Sequence, residues 1–167
     1  MKTQKLNREE IFAPGRLVHV DESRNLAIRN LSAEDLHKGD VFFSQARPMM
    51  LDRWLSDMEQ EKSVFLVARM GSRYAGSCAL DADPYKKYEA AFICFLYVLP
   101  KKRGSGVGGT LVDSAIRVVR DLSISAVELL VHSDEGMDSV AKRLYLRKGF
   151  EEKASENGFG ELMIRRV

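Results

Sequence analysis

LYVLPKKRGSGVGGTLV, residues 96–112, passes from apolar and β-rich to basic and glycine-rich and then back to apolar. Working outward, the run AAFICFLYVL at 90–99 is apolar on both faces, which predicts a central strand ended by Pro100. From Val107 to Leu122, Leu111, Val112, Ala115, Ile116 and Val119 recur on one face and Asp113, Arg117 and Arg120 on the other. That is the pattern of an amphipathic helix. Between strand and helix, Gly104, Ser105, Gly106, Gly108 and Gly109 carry little side-chain bulk, and the helix begins among them. Backbone N–H groups at a helix N-terminus converge on one spot and carry the positive end of the dipole, so they suit a pyrophosphate. Lys101, Lys102 and Arg103 add full charges beside it. The plainer reading is a turn that lets helix pack on strand, with solvated basic residues. Glycines this dense behind three cations favour the anion site.

Glycines alone do not name the anion. Gly104, Gly106 and Gly109 spell a literal G-x-G-x-x-G, and Glu128 lies near the distance expected of a ribose-binding acid. A dinucleotide fingerprint, however, turns directly out of its strand. Here Pro100 to Arg103 intervene, and Glu128 falls within a strand rather than at its end. A P-loop is excluded because no Gly-Lys-Ser/Thr follows.

The remaining elements arrange themselves around this unit. Leu26, Ile28 and Leu31 suggest a strand ending at Ser32, which is placed to cap a helix through Leu36. Met50, Leu51, Trp54, Leu55 and Met58 predict a second helix starting near Pro48. VFLVARM at 64–70 and YAGSCALD at 74–81 form a hairpin around Gly71-Ser72-Arg73, and AVELLVH at 126–132 is a further strand. A helix from about Asp138 to Lys148 stops at Gly149, a left-handed cap, and Phe150 opens a strand that pairs with the last one, GELMIRRV. The order β-αα-βββ-α-β-α-ββ predicts a mixed sheet with helices on both faces. Residues 1–24 read as a polar, turn-rich extension with one short strand at Leu17 to Val20, and residues 25–167 as the domain.

Composition sets outer bounds. A chain of 167 residues is the size of one domain, and a formal charge of +2 provides no surface dedicated to nucleic acid or to an anionic membrane. No apolar run approaches a membrane span and the N-terminus has no signal core, so the expected location is the cytoplasm. Cys78 and Cys94 lie in apolar strand runs without metal-ligand or redox spacing, and are read as buried, reduced thiols.

R-G-S-G-V-G, Arg103 to Gly108, fits the R/Q-x-x-G-x-G/A signature of the GNAT superfamily of N-acetyltransferases. Ala141, Tyr145, Gly149 and Phe150 resemble that family's A-x-x-x-Y-x-x-x-G-F segment, and the element order from Leu26 to Val167 is also similar. The resemblance implies a mostly antiparallel central sheet flanked by helices and splayed between the strands at about 90–99 and 126–132. It implies acetyl-CoA as cofactor, with Arg103, Gly104, Ser105, Gly106, Val107, Gly108 and Gly109 around the pyrophosphate. The free edge at Leu96, Tyr97 and Val98 would pair with the pantetheine arm, and donors near Leu96 would polarise the thioester carbonyl. Tyr145 matches the acid that protonates the departing thiolate; the alternative is a core tyrosine. Asp138 stands where the family often has Asn, which puts one amide contact to the cofactor in question.

A second departure bears on mechanism. The family often places a glutamate base eleven residues before the signature arginine, and here that position is Phe92. Glu89 has the opposite strand parity, so only a bulge would bring it to the same face. A lysine-like amine costs ~4.6 kcal/mol to deprotonate at neutral pH, and an α-amino group about 1.4 kcal/mol. A base drawn from His132, Asp134 or Glu135 is the other route. The sequence therefore reads as an acetyl-CoA-dependent N-acetyltransferase acting on a primary amine, of a small molecule or of a protein, by direct attack in a ternary complex. Acceptor contacts are expected from residues 36–62 and 82–88. A non-catalytic acyl-CoA-binding or sensing module is the alternative, and the reading leaves a homodimer open.

Overall fold

The computed structural model describes residues 6–37, 54, 56–83, 90–131, 138–153 and 161–167. Its strands are β1 (Leu17–Asp21), β2 (Leu26–Asn30), β3 (Ser63–Met70), β4 (Arg73–Asp81), β5 (Ala90–Val98), β6 (Ala126–Val131), β7 (Glu151–Lys153) and β8 (Glu161–Arg166). Its helices are α1 (Arg8–Phe12), α2 (Ala33–His37), α3 (Val107–Asp121) and α4 (Asp138–Arg147). The strands form one sheet in the order β1-β2-β3-β4-β5-β6-β8-β7. Only β5 and β6 run parallel; the other neighbouring pairs are antiparallel.

Strand periodicity divides the buried residues between two faces. Val64, Leu66 and Ala68 of β3 meet Leu111, Val112, Ala115, Ile116 and Val119 of α3 in the larger core. Asp113, Arg117 and Arg120 remain exposed on the outer side of α3, as its periodicity requires. Phe65 and Val67 turn the other way and pack with Leu31, Met58, Tyr74 and Ala79 in a second cluster bordered by Trp54 and Phe95. Trp54 and residues 56–59 are helical; the rest of the helix expected from Pro48 lies outside the described residues. Gly149 has φ +77, the left-handed cap expected at the end of α4.

Two local features differ from the sequence reading. A helix, α1, occupies the polar stretch near the N-terminus. Asn7 caps it by accepting from the Glu10 N–H at 2.8 Å, while the Glu10 carboxylate accepts from the Asn7 N–H at 2.8 Å, a reciprocal capping box. At α2 the capping acceptor is the carboxylate of Asp35, not the oxygen of Ser32. Both the N–H and the hydroxyl of Ser32 donate to Asp35 Oδ2, at 2.9 and 3.1 Å.

The N-terminal stretch is bound into the same core. Ile11, Phe12 and Val18 are buried. Asn30, wholly buried, donates from Nδ2 to the carbonyls of Ile11 (2.9 Å) and Ala13 (2.8 Å). Arg16 pairs with Asp121 at 2.9 Å, and Arg117 donates to the Val18 carbonyl at 2.9 Å, so the extension is tied to the C-terminal half of α3 at Arg16 and Val18. Asn30→Ala takes one donor from each of these carbonyls, which keep Arg16 Nη1 (to Ile11, 3.2 Å) and the Arg16 N–H (to Ala13, 3.2 Å), and is expected to cost about 1 kcal/mol and lower Tm by a few degrees. Thermal unfolding of the variant checks this; an unchanged Tm would mean that water replaces the amide at no cost.

Candidate functional site

The site grows out of the way β5 leaves the sheet. β5 is registered against β6 from Ala90↔Ala126 to Ile93↔Leu129. Beyond Ile93, β5 keeps its partners on β4, Cys78↔Leu96, Ser77↔Tyr97 and Gly76↔Val98, while β6 continues against β8 as far as Val131↔Glu161. The two central strands therefore part where the sequence led us to expect. Leu99 donates its N–H to Ala75 at 3.0 Å, so Tyr97, of the same parity, also turns its backbone groups toward β4. Leu96 and Val98 turn theirs into the opening. Arg103 closes its far end by donating from Nε to the Val98 carbonyl at 3.2 Å.

A bulge marks the parting. Ala79 pairs with Phe95 and Leu80 with Ile93, leaving Cys94 as the extra residue. Both cysteines are thiols, but Cys94 is exposed, contrary to the expectation of a buried packing residue. The physical reason is its place: Cys94 is the extra residue of the bulge and borders an open cavity with Trp54 and Phe95. Cys78 is fully buried, and burial, followed by the nearby Cys94, pushes its thiol up to about 12.

After β5, Pro100–Lys102 make one 3-10 turn, and Gly104 and Gly106 adopt φ +77 and +82. These left-handed values favour glycine, and Gly106 is the N-cap of α3. A methyl group added at Gly104 would meet nothing within 4 Å, so that side of the loop is open. Gly108 and Gly109 serve packing. Their added methyl groups would stand 3.4 Å from Val98 and 3.2 Å from Lys148. The first N–H groups of α3, from Val107, Gly108 and Gly109, have no preceding turn to bond to and face the loop. The open cradle, the helix start and the basic run fit a pyrophosphate.

Tyr145 sits on α4 and is buried in the larger core. It is 8% exposed and meets Phe150 edge to face, with ring centroids 5.7 Å apart. Burial, and secondarily the Cys78 thiol, holds its phenol above the ordinary tyrosine range, so it keeps its proton at neutral pH. Asp138 begins α4, but its side chain lies outside the described residues, as do Glu89, His132, Asp134 and Glu135.

The opposite face of β5 borders a cavity of about 380 Å³ lined by Trp54, Asp57, Phe65, Asp81, Cys94 and Phe95 among others. Trp54 stacks on Phe65 with centroids 4.4 Å apart and lies 6.3 Å from Phe95. Register supplies what the sequence reading missed. Phe92 is aligned with Asp81 on β4 and with Glu128 on β6, so carboxylates flank the position where the family often has one. Glu128 is held by Lys153 at 2.9 Å; Asp81 accepts the Asp83 N–H at 3.2 Å and lines the cavity. Neither could be placed without the register.

Comparison with known proteins agrees with this geometry. The acetyltransferase (GNAT) family profile matches residues 26–150. The chain belongs to the GNAT family of acetyltransferases, whose cofactor is acetyl-CoA. An uncharacterised N-acetyltransferase of Methanocaldococcus jannaschii is 30% identical over 118 residues, which make up 69% of this chain and 50% of that protein. The chain thus spans about half the length of this curated relative. In fold, the protein is similar to the PaiA N-acetyltransferase of Thermoplasma acidophilum in complex with coenzyme A, with TM-score 0.63 at 21% identity over 85% of this chain and 99% of that one. Mycobacterium smegmatis RimJ in complex with CoA-disulfide gives TM-score 0.69 at 10% identity, covering 93% of this chain and 86% of the other. The Escherichia coli ribosomal-protein-S18-alanine N-acetyltransferase gives 0.64 at 17% identity, covering 85% and 94%. No helix among the described residues is long and apolar enough to cross a membrane.

Two outcomes follow from the loop and the bulge. Gly106→Glu forces a side chain into a left-handed position and sets a carboxylate in the loop that fits a pyrophosphate; acetyl-CoA should raise the Tm of the parent protein and not that of the folded variant. Retained binding would remove the loop from the cofactor site. At pH 8 a disulfide reagent should modify one thiol rapidly, lost in Cys94→Ser, and Cys78 only after unfolding. Rapid reaction of both would contradict the burial of Cys78.

Proposed function

We propose that this chain transfers the acetyl group of acetyl-CoA to a primary amine by direct attack in a ternary complex. The observation that carries the reading is the parting of β5 from β6 after Ile93, which turns the Leu96 backbone groups and the Val98 N–H into an opening that leads to a glycine-headed helix on one side and borders an aromatic, acidic cavity on the other. In this reading the loop from Arg103 to Gly109 holds the pyrophosphate, and Leu96, Tyr97 and Val98 lie along the pantetheine arm. The thioester supplies an electrophilic carbonyl and a thiolate leaving group.

The amine nitrogen bonds to the carbonyl carbon as the carbon–sulfur bond breaks. The Leu96 N–H, turned into the opening, donates to the carbonyl oxygen as negative charge develops there. Tyr145, protonated at neutral pH, gives its proton to the sulfur, and the amine nitrogen loses one proton to a base. Asp81, aligned with Phe92 and lining the cavity, joins Glu89 and His132 as a base.

The cavity also indicates the acceptor class. Trp54, Phe65 and Phe95 suit an apolar body, and an ammonium is attracted both by their ring faces and by Asp57 and Asp81. An amine with an apolar or aryl neighbour, such as the N-terminus or a side chain of an apolar peptide or a small arylalkylamine, fits best. A non-catalytic acyl-CoA module is favoured by one observation, the apolar ring at Phe92.

Turnover of acetyl-CoA with an amine panel separates the two readings, and arylalkylamines should outperform acidic or sugar amines. Tyr145→Phe should lower kcat by about 10²-fold with acetyl-CoA affinity nearly intact. Unchanged turnover would make Tyr145 a packing residue. Asp81→Asn should lower kcat/KM with acetyl-CoA affinity nearly intact, and an unchanged kcat/KM would return the base to Glu89, His132 or the amine's own ionisation.

A further inference from the structure

Arg24 belongs to the turn between β1 and β2, ahead of the residues matched by the family, and yet its side chain ends at the start of α3. Nη2 donates to Thr110 Oγ1 at 3.1 Å and Nη1 to the Ser105 carbonyl at 3.5 Å. A methyl group built on Gly106 would stand 2.7 Å from Nη1, so the guanidinium lies directly over the N-cap of the helix.

On its own this is an unfavourable place for a cation. The N-terminus of a helix carries positive partial charge and prefers acidic neighbours, and the carboxylate paired with Arg24, that of Asp21, sits on its Nε side at 2.6 Å, away from the helix. The first turn of α3 has no acidic residue, and Lys101, Lys102 and Arg103 immediately precede the loop. Like charges are being gathered around unsatisfied N–H donors, which an anion bound among them would turn from repulsion into attraction.

The side chain is also held in advance. Nε donates to Asp21 Oδ2 at 2.6 Å, and the Asp21 carboxyl is lowered to about 2 by the Ser23 hydroxyl and by Arg24 itself. Asn25 closes the turn at φ +49, and its carbonyl accepts the Gly71 N–H at 2.8 Å, fixing the turn to the β3-β4 hairpin. Arg24 therefore needs little ordering on binding, and its two terminal nitrogens bond weakly to neutral oxygens that an anion could replace.

We infer that Arg24 is a binding residue for the pyrophosphate of acetyl-CoA, supplied by the segment ahead of the matched domain. The inference rests on the reading that the loop from Arg103 to Gly109 holds that pyrophosphate.

Calorimetric titration of the full chain with coenzyme A, 3′-dephospho-coenzyme A and S-acetylpantetheine tests it in the parent protein, Arg24→Gln and Arg24→Lys. Arg24→Gln should weaken the first two by about tenfold, equally, and leave S-acetylpantetheine unaffected; Arg24→Lys should fall between. A loss confined to coenzyme A would assign Arg24 to the 3′-phosphate and overturn the proposal. So would unchanged or tighter binding, which would make Arg24 a structural strut or a plug. Loss for all three ligands with a lowered Tm would mark it as part of the fold alone. If the parent protein binds none of the three, it is the reading of the loop that fails, before Arg24 comes into question.

Discussion

The parting of β5 from β6 is the constraint on which the rest of the structure depends. A buried sheet leaves few backbone N–H and C=O groups without partners, because each one costs about 1–3 kcal/mol when unmet. Here two central strands separate after Ile93 and Leu129, so that among the described residues the edge of β5 from Leu96 to Val98 loses its β6 partner, and Arg103 Nε meets the Val98 carbonyl. The fold tolerates this because each strand keeps its other neighbour, β4 for β5 and β8 for β6, and because α3 packs across the sheet. The bulge at Cys94 adds twist at the point of separation. Gly76 allows β4 to stay close to β5 there: a methyl group on it would stand 2.6 Å from the Tyr97 carbonyl.

Charge is distributed unevenly along β5. At the C-terminal end, Lys101, Lys102 and Arg103 precede the glycine loop and Arg24 lies over the N-cap of α3. At the other, Asp57, Asp81 and Glu128 lie about the cavity and around Phe92. Over this length, screening at physiological salt weakens exposed charges but not those partly buried against the strand. A formal charge of only +2 for the whole chain hides this separation.

How much of this was legible in the sequence depends on how local each signal is. The strand, loop and helix from Ala90 to Asp121 were plain, since periodicity changes from an apolar run to an amphipathic helix across Pro100 and the glycines. The capping box at Asn7 and Glu10 was equally local and was overlooked because no apolar periodicity follows it. The bulge at Cys94 could not be read, because an unbroken apolar run looks the same with or without an extra residue. The carboxylates beside Phe92 required the register of three strands, and Arg24 required knowing that the β1-β2 turn comes to rest on α3. These are relations between residues far apart in the chain, and composition and spacing carry no trace of them.

The cavity presents a physical conflict that bears on how the chemistry can proceed. Carboxylates that attract an ammonium also stabilise it, and so raise the cost of the free amine that must attack. For a lysine-like amine this adds to the ~4.6 kcal/mol already required at neutral pH. The conflict is resolved if the carboxylate that binds the ammonium is also the one that takes its proton, because attraction then delivers the proton to its acceptor. An apolar acceptor body against Trp54 and Phe65 would exclude water there. On this argument, an apolar ring at Phe92 would still leave base chemistry open to a neighbouring strand, where Asp81 is aligned with it and lines the cavity.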